Sequence, residues 1–501
     1  MEPILPVAIA LPPRGDHDLV RRLHRQLQGA IFDGRLHSGM RLPASRKLAA
    51  ALGVSRNTVV ASYDLLLSQG YLTGRRGSGM YVTDVFLSKP PRRQIAHAAT
   101  ADHRLSVAWR GATPALVTQP SASYRYDFRV GLPDKTGFPF DVWRRLSARG
   151  LRALSRPAAA YYEPEGLPAL REAIAAHVSF ARAVACRADD VIVTAGAQQA
   201  FDLIARILVT PGHTCVAVED PGYPPARAAF AAAGARLIAV PVDAEGLIVE
   251  RLPAEARVIV VSPSHQFPLG AAMSLRRRNE LLEFARARDA VIVEDDYDGE
   301  FRFAGLPLDS LQTLDRAQSV FYLGTFSKSL FPALRLGFVV TPGWARGALI
   351  AAKQLSDWHG PLLAQETLAA FIAEGHLARH VRKMRRIYGE RRAALRTAIA
   401  RHCSSHLTLF PSDTGLHVAV RLPDGVVAQQ LVTAAAQDGV GVEDLNRYAF
   451  HLPAPNGLAL GIGLIAADLI DKGIETLGRI VSADASVQGK RSTKTATRRR
   501  P

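Results

Sequence analysis

The chain has 501 residues, of which 48% are hydrophobic and 21% charged, which excludes a disordered protein and leaves material for two or three folded domains. Its three cysteines, Cys186, Cys215 and Cys403, show no CxxC spacing, so neither a disulfide framework nor a metal site is predicted. No apolar stretch is long enough to span a bilayer, and the N-terminal segment lacks the basic start of a signal peptide. We therefore expect a soluble, cytoplasmic protein with no membrane partner.

The net charge of +17 is unevenly distributed. Residues 1–90 carry +6, residues 91–125 carry +4 and residues 485–501 carry +6, whereas residues 126–484 together carry +1. Basic flanks around a near-neutral body indicate polyanion binding by the flanks and another role for the middle. Charge alone leaves open the alternative that the arginines reflect only a generally basic composition.

The first predicted element is an amphipathic helix over 18–33. Leu19, Leu23, Leu27 and Ile31 recur there at helical spacing and form one apolar face, with arginines interspersed. The glycines and proline of "GRLHSGMRLPA" then end the helix.

Two shorter helices follow, each with a serine at its start. Ser45 is expected to cap "RKLAAAL", which stops at Gly53, and Ser55 is expected to cap "RNTVVASYDLLLSQ", which stops at Gly70. The tight "GVS" turn between them is typical of a helix-turn-helix motif. The fragments "YLT", "GRRGSGM" and "YVTD" then predict two strands around a basic, glycine-rich tip, which is a wing.

This pattern predicts DNA binding, because the first turn of the second helix of such a motif enters the major groove. The segment 34–82 resembles the winged helix of GntR-type transcription regulators over almost its whole length. We therefore expect an α+β winged helix-turn-helix domain over 15–83 that binds a double-stranded DNA operator. Its expected DNA contacts, to bases from the helix start and to phosphates from the turns and wing, are Arg41, Ser45, Arg46, Ser55, Arg56, Asn57, Thr58, Arg75, Arg76 and Gly77.

The next predicted segments are a linker and a large body. Residues 84–125 are rich in proline, alanine and arginine without sustained periodicity, which predicts a flexible basic linker. From 126 to 480, short β-rich runs alternate with helical segments, which predicts an α/β domain with a mainly parallel sheet. The strand candidates are "VIVT" (191–194), "CVAVE" (215–219), "VIVVS" (258–262), "VIVE" (291–294) and "VFYLG" (320–324).

Polar clusters follow every one of these strand candidates, at the edge where ligands of parallel sheets bind. The clusters are "AGAQQA", "DPGYPPAR", "PSHQFPLG", "DDYDGEFRF" and "TFSK". Their order and spacing, from "YYEPEGLPALREAIAAH" (161–177) to "RLGF" (335–338), resemble fold-type I, aspartate-aminotransferase-like enzymes that use pyridoxal 5'-phosphate. With the winged helix in front, the whole chain resembles the MocR-type subgroup of GntR regulators.

The resemblance implies a role for individual residues. Lys328 is expected to form the Schiff base with pyridoxal phosphate. Asp295 is expected to pair with the pyridine nitrogen, Tyr297 and Gln266 to reach the ring hydroxyl, and Tyr223 to stack on the ring. The residues expected around the phosphate are Ala197, Gln198, Thr325, Ser327, Arg335 and, donated by the partner subunit of a domain-swapped homodimer, Tyr161.

One part of the aminotransferase pattern is absent from the sequence. Such enzymes hold the substrate carboxylate with an arginine near the C-terminus, but the corresponding stretch, "GLALGIG" (457–463), has Ala459 at that position. Arg227 is a candidate substitute. Because a bidentate arginine orients the substrate, its loss argues against an efficient transaminase of α-amino acids. The signal is then expected to be pyridoxal phosphate itself, or an amine that lacks an α-carboxylate or is held differently.

We therefore predict a pyridoxal phosphate-dependent, DNA-binding transcription regulator that senses the cofactor or an amine effector through the Lys328 aldimine, with at most partial transaminase activity. The alternatives are an active aminotransferase with an accessory DNA-binding head, and an architectural DNA-binding protein whose body serves only dimerisation. Residues 481–501 are predicted to form a basic, disordered tail.

Overall fold

The computed structural model describes residues 5–12, 18–75, 79–83, 109, 123–156, 160–305 and 309–497, with side chains up to 483. The chain divides into two compact units, residues 1–100 and 101–501. Among the residues described, none of the helices has the length and apolar character that a bilayer crossing requires. Most of the predicted linker over 84–125 lies outside the described residues.

The first unit is a three-helix bundle with a β-hairpin. Its elements are α1 (Leu19–Phe32), α2 (Ser45–Leu52), α3 (Arg56–Ser68), β1 (Leu72–Arg75) and β2 (Gly79–Val82). The two strands pair antiparallel, with Leu72 opposite Val82. Leu23, Leu27 and Ile31 are buried, as the helical spacing predicts.

Two details of this unit differ from the sequence-based expectation. The core begins before residue 15, because Leu5 and Val7 pack into it and the Gln26 side chain bonds both to the backbone N–H and to the carbonyl of Ala10. Ser45 is the first residue of α2 and not its cap, since the backbone already turns helical there and Ala44 occupies the cap position without a side-chain bond.

The second unit is built on an eight-stranded sheet. It opens with β3 (Tyr126–Asp127), α4 (Phe140–Leu154) and α5 (Pro168–Arg182). The sheet strands are β4 (Val191–Thr194), β5 (Cys215–Asp220), β6 (Arg236–Asp243), β7 (Gly246–Leu247), β8 (Ala256–Val261), β9 (Val291–Asp296), β10 (Val320–Thr325) and β11 (Gly337–Val340).

The order of these strands is β4-β11-β10-β9-β8-β5-β6-β7. Strands β6, β5, β8, β9 and β10 pair in parallel, whereas β11 and β7 run antiparallel to their neighbours. All five predicted strands are present in this sheet. Since most of their residues are buried, the apolar runs mark strands that are covered on both faces.

The helices that connect and cover the sheet are α6 (Ala197–Leu208), α7 (Pro224–Ala232), α8 (Leu275–Arg288), α9 (Leu311–Leu314), α10 (Arg346–Asp357), α11 (Leu362–Ala373) and α12 (His376–His402). A smaller sheet of order β12-β13-β16-β15 follows. The remaining elements are β12 (Thr408–Leu409), β13 (His417–Arg421), α13 (Ala428–Gln437), β14 (Val440–Gly441), which pairs with β3, β15 (Glu443–Asp444), β16 (Gly457–Gly461) and α14 (Ala467–Thr497).

The C-terminal segment differs from the predicted disordered tail. The helix α14 continues past residue 480 as far as Thr497. Ile474, Leu477 and Val481 are fully buried in the core of the smaller sheet. Because these residues recur at helical spacing, the apolar face of the helix extends beyond the expected domain end. The tail was predicted from the basic composition of the last residues, and charge alone does not reveal this apolar face.

A buried ion pair joins α5 to the end of β9. The guanidinium of Arg182 donates to both carboxylate oxygens of Asp296, at 2.7 and 3.1 Å, and to Ser264 Oγ at 2.8 Å. Burial alone would raise the pKa of Asp296, but the charge and hydrogen bonds of Arg182 and the hydroxyl of Tyr322 hold it below its ordinary value. The ion pair therefore stabilises the folded state at pH values above the ordinary pKa of an aspartate. This stabilisation is lost as the pH falls through the lowered pKa of Asp296 and the carboxylate takes up a proton.

We predict that Arg182→Met destabilises the protein by ~3–5 kcal/mol at neutral pH, because it leaves the Asp296 carboxylate buried without a partner. The difference in unfolding free energy between Arg182→Met and the native protein should shrink as the pH falls and Asp296 takes up a proton. Denaturant unfolding at pH 7.5 and pH 5 measures both effects. The control is Arg206→Met, which breaks an exposed pair with Asp202 and should cost less than ~1 kcal/mol. Equal losses in the two variants would contradict the prediction.

Candidate functional site

The candidate site of the body is a cavity at the carboxyl ends of the sheet strands. Parallel strands place their ends at one edge, so loops that are distant in the sequence meet there. The lining residues are Val130, Gly131, Ala197, Gln198, Tyr223, Phe267, Asp295, Tyr297, Asp298, Thr325, Ser327, Lys328, Pro332, Arg335, Leu416 and His417. The cavity thus brings together all the cofactor-site residues predicted from the sequence except Gln266 and Tyr161.

Lys328 lies in the turn that follows β10 and points its ammonium group into the cavity. Its Nζ donates a hydrogen bond to the carbonyl of Gly131 at 2.6 Å. Burial lowers the pKa of Lys328, although the nearby carboxylates of Asp298 and Asp295 oppose this effect. A lysine whose pKa is lowered is more readily the neutral amine that reacts with an aldehyde.

Asp295 lies at the end of β9 and faces the same cavity. Its Oδ1 is buried and has no hydrogen-bond partner among the described residues. Burial, followed by the charge of Asp296, raises the pKa of Asp295 to about 8, while Lys328 opposes the rise. The carboxylate is therefore held in an environment that a cationic ligand group would complete.

One end of the cavity is built to hold an anion. Gly196 precedes α6 with φ 81°, so the amides of Ala197 and Gln198 begin the helix at the cavity wall. A side chain at Gly196 would lie 3.0 Å from Nη2 of Arg335, whose guanidinium donates to the carbonyl of Ala195. The hydroxyls of Thr325 and Ser327 lie 3.0 Å apart beside them. A guanidinium, two hydroxyls and a helix N-terminus together suit a phosphate.

A second polar cluster lies near Lys328, and its members Asp298 and His417 were not predicted, whereas Tyr297 was. Asp298 is almost fully buried and accepts from His265 Nδ1 at 3.1 Å and from the backbone N–H of Leu416 at 3.1 Å. The phenol of Tyr297 lies 2.9 Å from the same His265 nitrogen. Asp298 stands in the motif "DDYDGEFRF" and was open to prediction there, whereas His417 arrives from β13 without a sequence signal.

Gln266 was expected at the ring hydroxyl, and the structure places it elsewhere. Its amide nitrogen donates to the carbonyls of Pro221 and Phe267, and its amide oxygen accepts from the backbone N–H of Leu269. Because these contacts occupy both ends of the amide, Gln266 holds its loop together and does not line the cavity. Phe267, the next residue, faces the cavity in its place.

Tyr161 also lies outside the cavity. Its side chain is 76% exposed and stacks on Trp358 at 4.6 Å. The role expected of it concerns a partner subunit and therefore stays a prediction.

The two positions considered for a carboxylate-binding arginine do not supply one. Ala459 is fully buried in β16, where it packs in a cluster with Ala419 and Leu445. The guanidinium of Arg227 is turned away and donates to the carbonyls of Tyr448 and Gly222. Of the described residues that line the cavity, the cationic ones are Lys328 and Arg335.

The candidate DNA-binding residues lie in the first unit. Ser55 caps α3, since its Oγ accepts from the backbone N–H of Thr58 at 3.0 Å, and Arg56 and Asn57 are exposed in the first turn. Arg41, Arg46 and Arg75 are also exposed, and Arg75 lies over the ring of Tyr81. The predicted contacts Arg76 and Gly77 lie outside the described residues.

Comparison with protein families gives two matches. Residues 128–454 match the model "Aminotransferase class I and II", and residues 19–82 match "Bacterial regulatory proteins, gntR family".

Among curated proteins, the chain is 38% identical to "Probable rhizopine catabolism regulatory protein MocR" of Rhizobium meliloti, over 94% of this chain and 95% of that protein. It is 33% identical to "HTH-type pyridoxine biosynthesis transcriptional regulator PdxR" of Corynebacterium glutamicum, over 91% of this chain and 94% of that protein.

Two solved structures are similar to the body. Kynurenine aminotransferase of Pyrococcus horikoshii in complex with PMP is 29% identical, with a TM-score of 0.67 over 73% of this chain and 92% of that chain. The α-aminoadipate aminotransferase LysN of Thermus thermophilus, complexed with N-(5'-phosphopyridoxyl)-L-leucine, is 30% identical, with a TM-score of 0.66 over 72% of this chain and 93% of that chain.

The cavity fits pyridoxal 5'-phosphate, which is the cofactor of this site. The oxygen of Asp295 that no described residue bonds could accept a hydrogen bond from a protonated pyridine nitrogen. The space beside Gly196 and the guanidinium of Arg335 could hold the phosphate. When bound, the cofactor supplies an aldehyde carbon that combines reversibly with primary amines. Lys328 would supply the amine of the protein, and Tyr223, which also lines the cavity, would supply an aromatic surface for the ring.

We predict that Asp295→Asn changes stability in opposite directions without and with the cofactor. A carboxyl with a folded-state pKa of about 8 lies above its unfolded value of about 4, so it destabilises the cofactor-free fold increasingly between those pH values. Cofactor-free Asp295→Asn should therefore melt above the native protein at pH 8. Its affinity for pyridoxal phosphate should fall about ten- to a hundredfold, the loss of one charge-assisted hydrogen bond.

Thermal melts with and without the cofactor and a spectroscopic titration measure the two effects. The exposed substitution Asp424→Asn serves as the control and should change neither. An unchanged cofactor affinity in Asp295→Asn would contradict the assignment of Asp295.

Proposed function

The chain belongs to the MocR-type GntR regulators, which join a gntR-family head to an aminotransferase class I and II body, and on that premise we propose that it regulates transcription by sensing a ligand at its pyridoxal phosphate site. The observation that supports the proposal is that one cavity contains the groups expected to bind the cofactor but not a group to bind a substrate carboxylate. Lys328, Asp295 and the phosphate-binding groups around Arg335 are all present, whereas the described lining residues offer no cation for a substrate carboxylate beyond Lys328 and Arg335. The site therefore keeps the groups that capture an amine but lacks a group that would orient the carboxylate of an α-amino acid.

The same contrast makes the two alternatives less favourable. An efficient aminotransferase needs the carboxylate held while the bond to the α-hydrogen is aligned, and neither Ala459 nor Arg227 provides this. A purely architectural protein has no need for a buried carboxyl at Asp295, with one oxygen that no described residue bonds, beside a lysine of lowered pKa.

Regulation requires that the ligand favour one state of the protein over another. A ligand that binds two states equally shifts nothing, however tightly it binds. The coupling between cofactor site and operator is therefore a difference in free energy, and it acts equally in both directions. We propose a cytoplasmic location, because the head acts only where the chromosome is.

We also propose that the active form is a domain-swapped homodimer in which Tyr161 reaches the partner's phosphate site. Leu151, Tyr161, Leu355 and Trp358 are large apolar side chains with at least 45% of their surface exposed. Tyr161 and Trp358 stack on each other and so form one exposed aromatic pair. A second subunit would cover such groups, since exposed apolar patches commonly mark interfaces.

The central test couples DNA binding to the cofactor. Operators are selected from a random DNA library with the full-length protein, and their affinity is measured as pyridoxal phosphate is added. We expect the cofactor to change operator affinity by roughly 5- to 150-fold. Lys328→Ala should still bind DNA but should lose both this response and the visible absorption band of the lysine-bound cofactor.

Identical operator affinity at all cofactor concentrations, both without and with an added amine, would refute the sensing role. Turnover of an amino donor with 2-oxoglutarate at roughly 1–1000 per second would favour the enzyme instead.

A second prediction separates base recognition from phosphate contact in the head. Arg56→Ala should reduce discrimination between selected and random DNA by ~1–3 kcal/mol, because Arg56 is exposed in the first turn of α3. Arg46→Ala, at the start of α2, should weaken binding to all sequences alike and reduce the salt slope by about one. Competition binding at several salt concentrations measures both effects. If Arg56→Ala weakened binding to selected and random DNA equally, Arg56 would be a phosphate contact and not a base contact.

A further inference from the structure

The charges of the cavity divide between its two ends. With pyridoxal phosphate bound, Arg335 would contact the phosphate and Asp295 would pair with the pyridine nitrogen. Lys328 would hold the aldehyde in the cofactor-loaded protein until an effector amine takes its place. Of the charged residues that line the cavity, Asp298 then remains for a further ligand. The part of the cavity that an effector would occupy is therefore negative.

Asp298 is fixed in this position by the protein. Its side chain is 2% exposed, and its carboxylate accepts from His265 Nδ1 and from the backbone N–H of Leu416. A carboxylate accepts about four hydrogen bonds, so these partners leave capacity for a ligand. Of the two carboxylates that act on Lys328, Asp298 exerts the larger effect. A second amine placed near Lys328 would experience the same attraction.

His417 adds a second acceptor to the same wall. Its Nε2 lies 3.0 Å from the carbonyl of Pro268, a distance that requires Nε2 to carry the proton. Burial, followed by the proximity of His265, lowers the pKa of His417 to about 3, so the ring is neutral. The other nitrogen, Nδ1, is therefore a hydrogen-bond acceptor. Val130, Phe267 and Leu416, which also line the cavity, have apolar side chains. The phenol of Tyr297, another lining residue, donates to the carbonyl of His265 at 3.0 Å and is therefore already committed.

We propose that this wall selects an effector of one chemical class: a primary amine that carries hydroxyl or further N–H donors and no carboxylate. The inference rests on the proposed function, because it concerns the ligand of the same cofactor site. Asp298 and His417 offer acceptors to such donors. A carboxylate in the same place would face Asp298 and would find no donor to replace its water.

The test compares pairs of probes that differ only in this group. The full-length protein loaded with pyridoxal phosphate is titrated with alaninol and alanine, and with 3-amino-1-propanol and β-alanine, while the visible spectrum of the bound cofactor is followed. We expect each amino alcohol to bind about tenfold or more tightly than its amino acid, because one like-charge repulsion in a partly buried site is of that size.

A substitution identifies the residue responsible. Asp298→Asn keeps the size of the side chain and removes its charge, so the preference for the amino alcohol should fall toward unity. The matched control Asp413→Asn, at an exposed position close in sequence to His417, should keep the native preference. The comparison of probes on the native protein needs no variant and stands even if Asp298→Asn does not fold.

The outcomes separate this inference from the function on which it rests. If the Lys328-dependent absorption band is present but the amino acids bind as tightly as the amino alcohols, or no probe alters the spectrum, the effector class is wrong and the cofactor assignment stands. If no Lys328-dependent band forms, the proposed function itself fails.

Discussion

Two neighbouring carboxylates, Asp295 and Asp296, are buried at the end of β9, and the site depends on how each is neutralised. Successive residues of a strand face opposite sides of the sheet, so the two carboxylates meet different partners. Asp296 receives the guanidinium of Arg182 and the hydroxyl of Tyr322, all within the protein. Asp295 has one oxygen that no residue in the described part of the chain bonds. Because a buried, unpaired carboxylate is unfavourable, this edge of the sheet is complete only when a cationic group from outside lies against Asp295.

The rest of the cavity follows from that constraint. Lys328 lies between Asp295 and Asp298, and burial works against its charge while the two carboxylates support it. The positive groups that remain, Arg335 and the start of α6, lie at the end where a phosphate fits. The lining therefore carries cationic groups where a phosphate would fit and carboxylates at Asp295 and Asp298, a distribution that would favour one orientation of pyridoxal phosphate.

The sequence predicts the parts of this site that depend on strand order. Asp295, Thr325 and Lys328 follow recognisable apolar runs, and the parallel sheet brings the ends of these runs together. Gln266 also follows such a run, but the path of its loop turns the amide toward Pro221. Gly131 and His417 come from segments outside the strand-end clusters, and only packing of the smaller sheet against the cavity places them there. The sequence pattern thus does not determine which way the side chains of a loop point.

The loss of a carboxylate clamp has different consequences for an enzyme and for a sensor. An aminotransferase must align a particular bond of its substrate, and orientation supplies a large share of its rate. A sensor needs only that a ligand bind one state of the protein more tightly than another. Under the proposed function, a site with Lys328 and Asp295 but no arginine at position 459 would still capture an amine and respond to it. In such a site, discrimination passes from a bidentate contact to the fixed charge of Asp298, which separates ligands chiefly by charge and hydrogen-bond donors and only weakly by the length of the carbon chain.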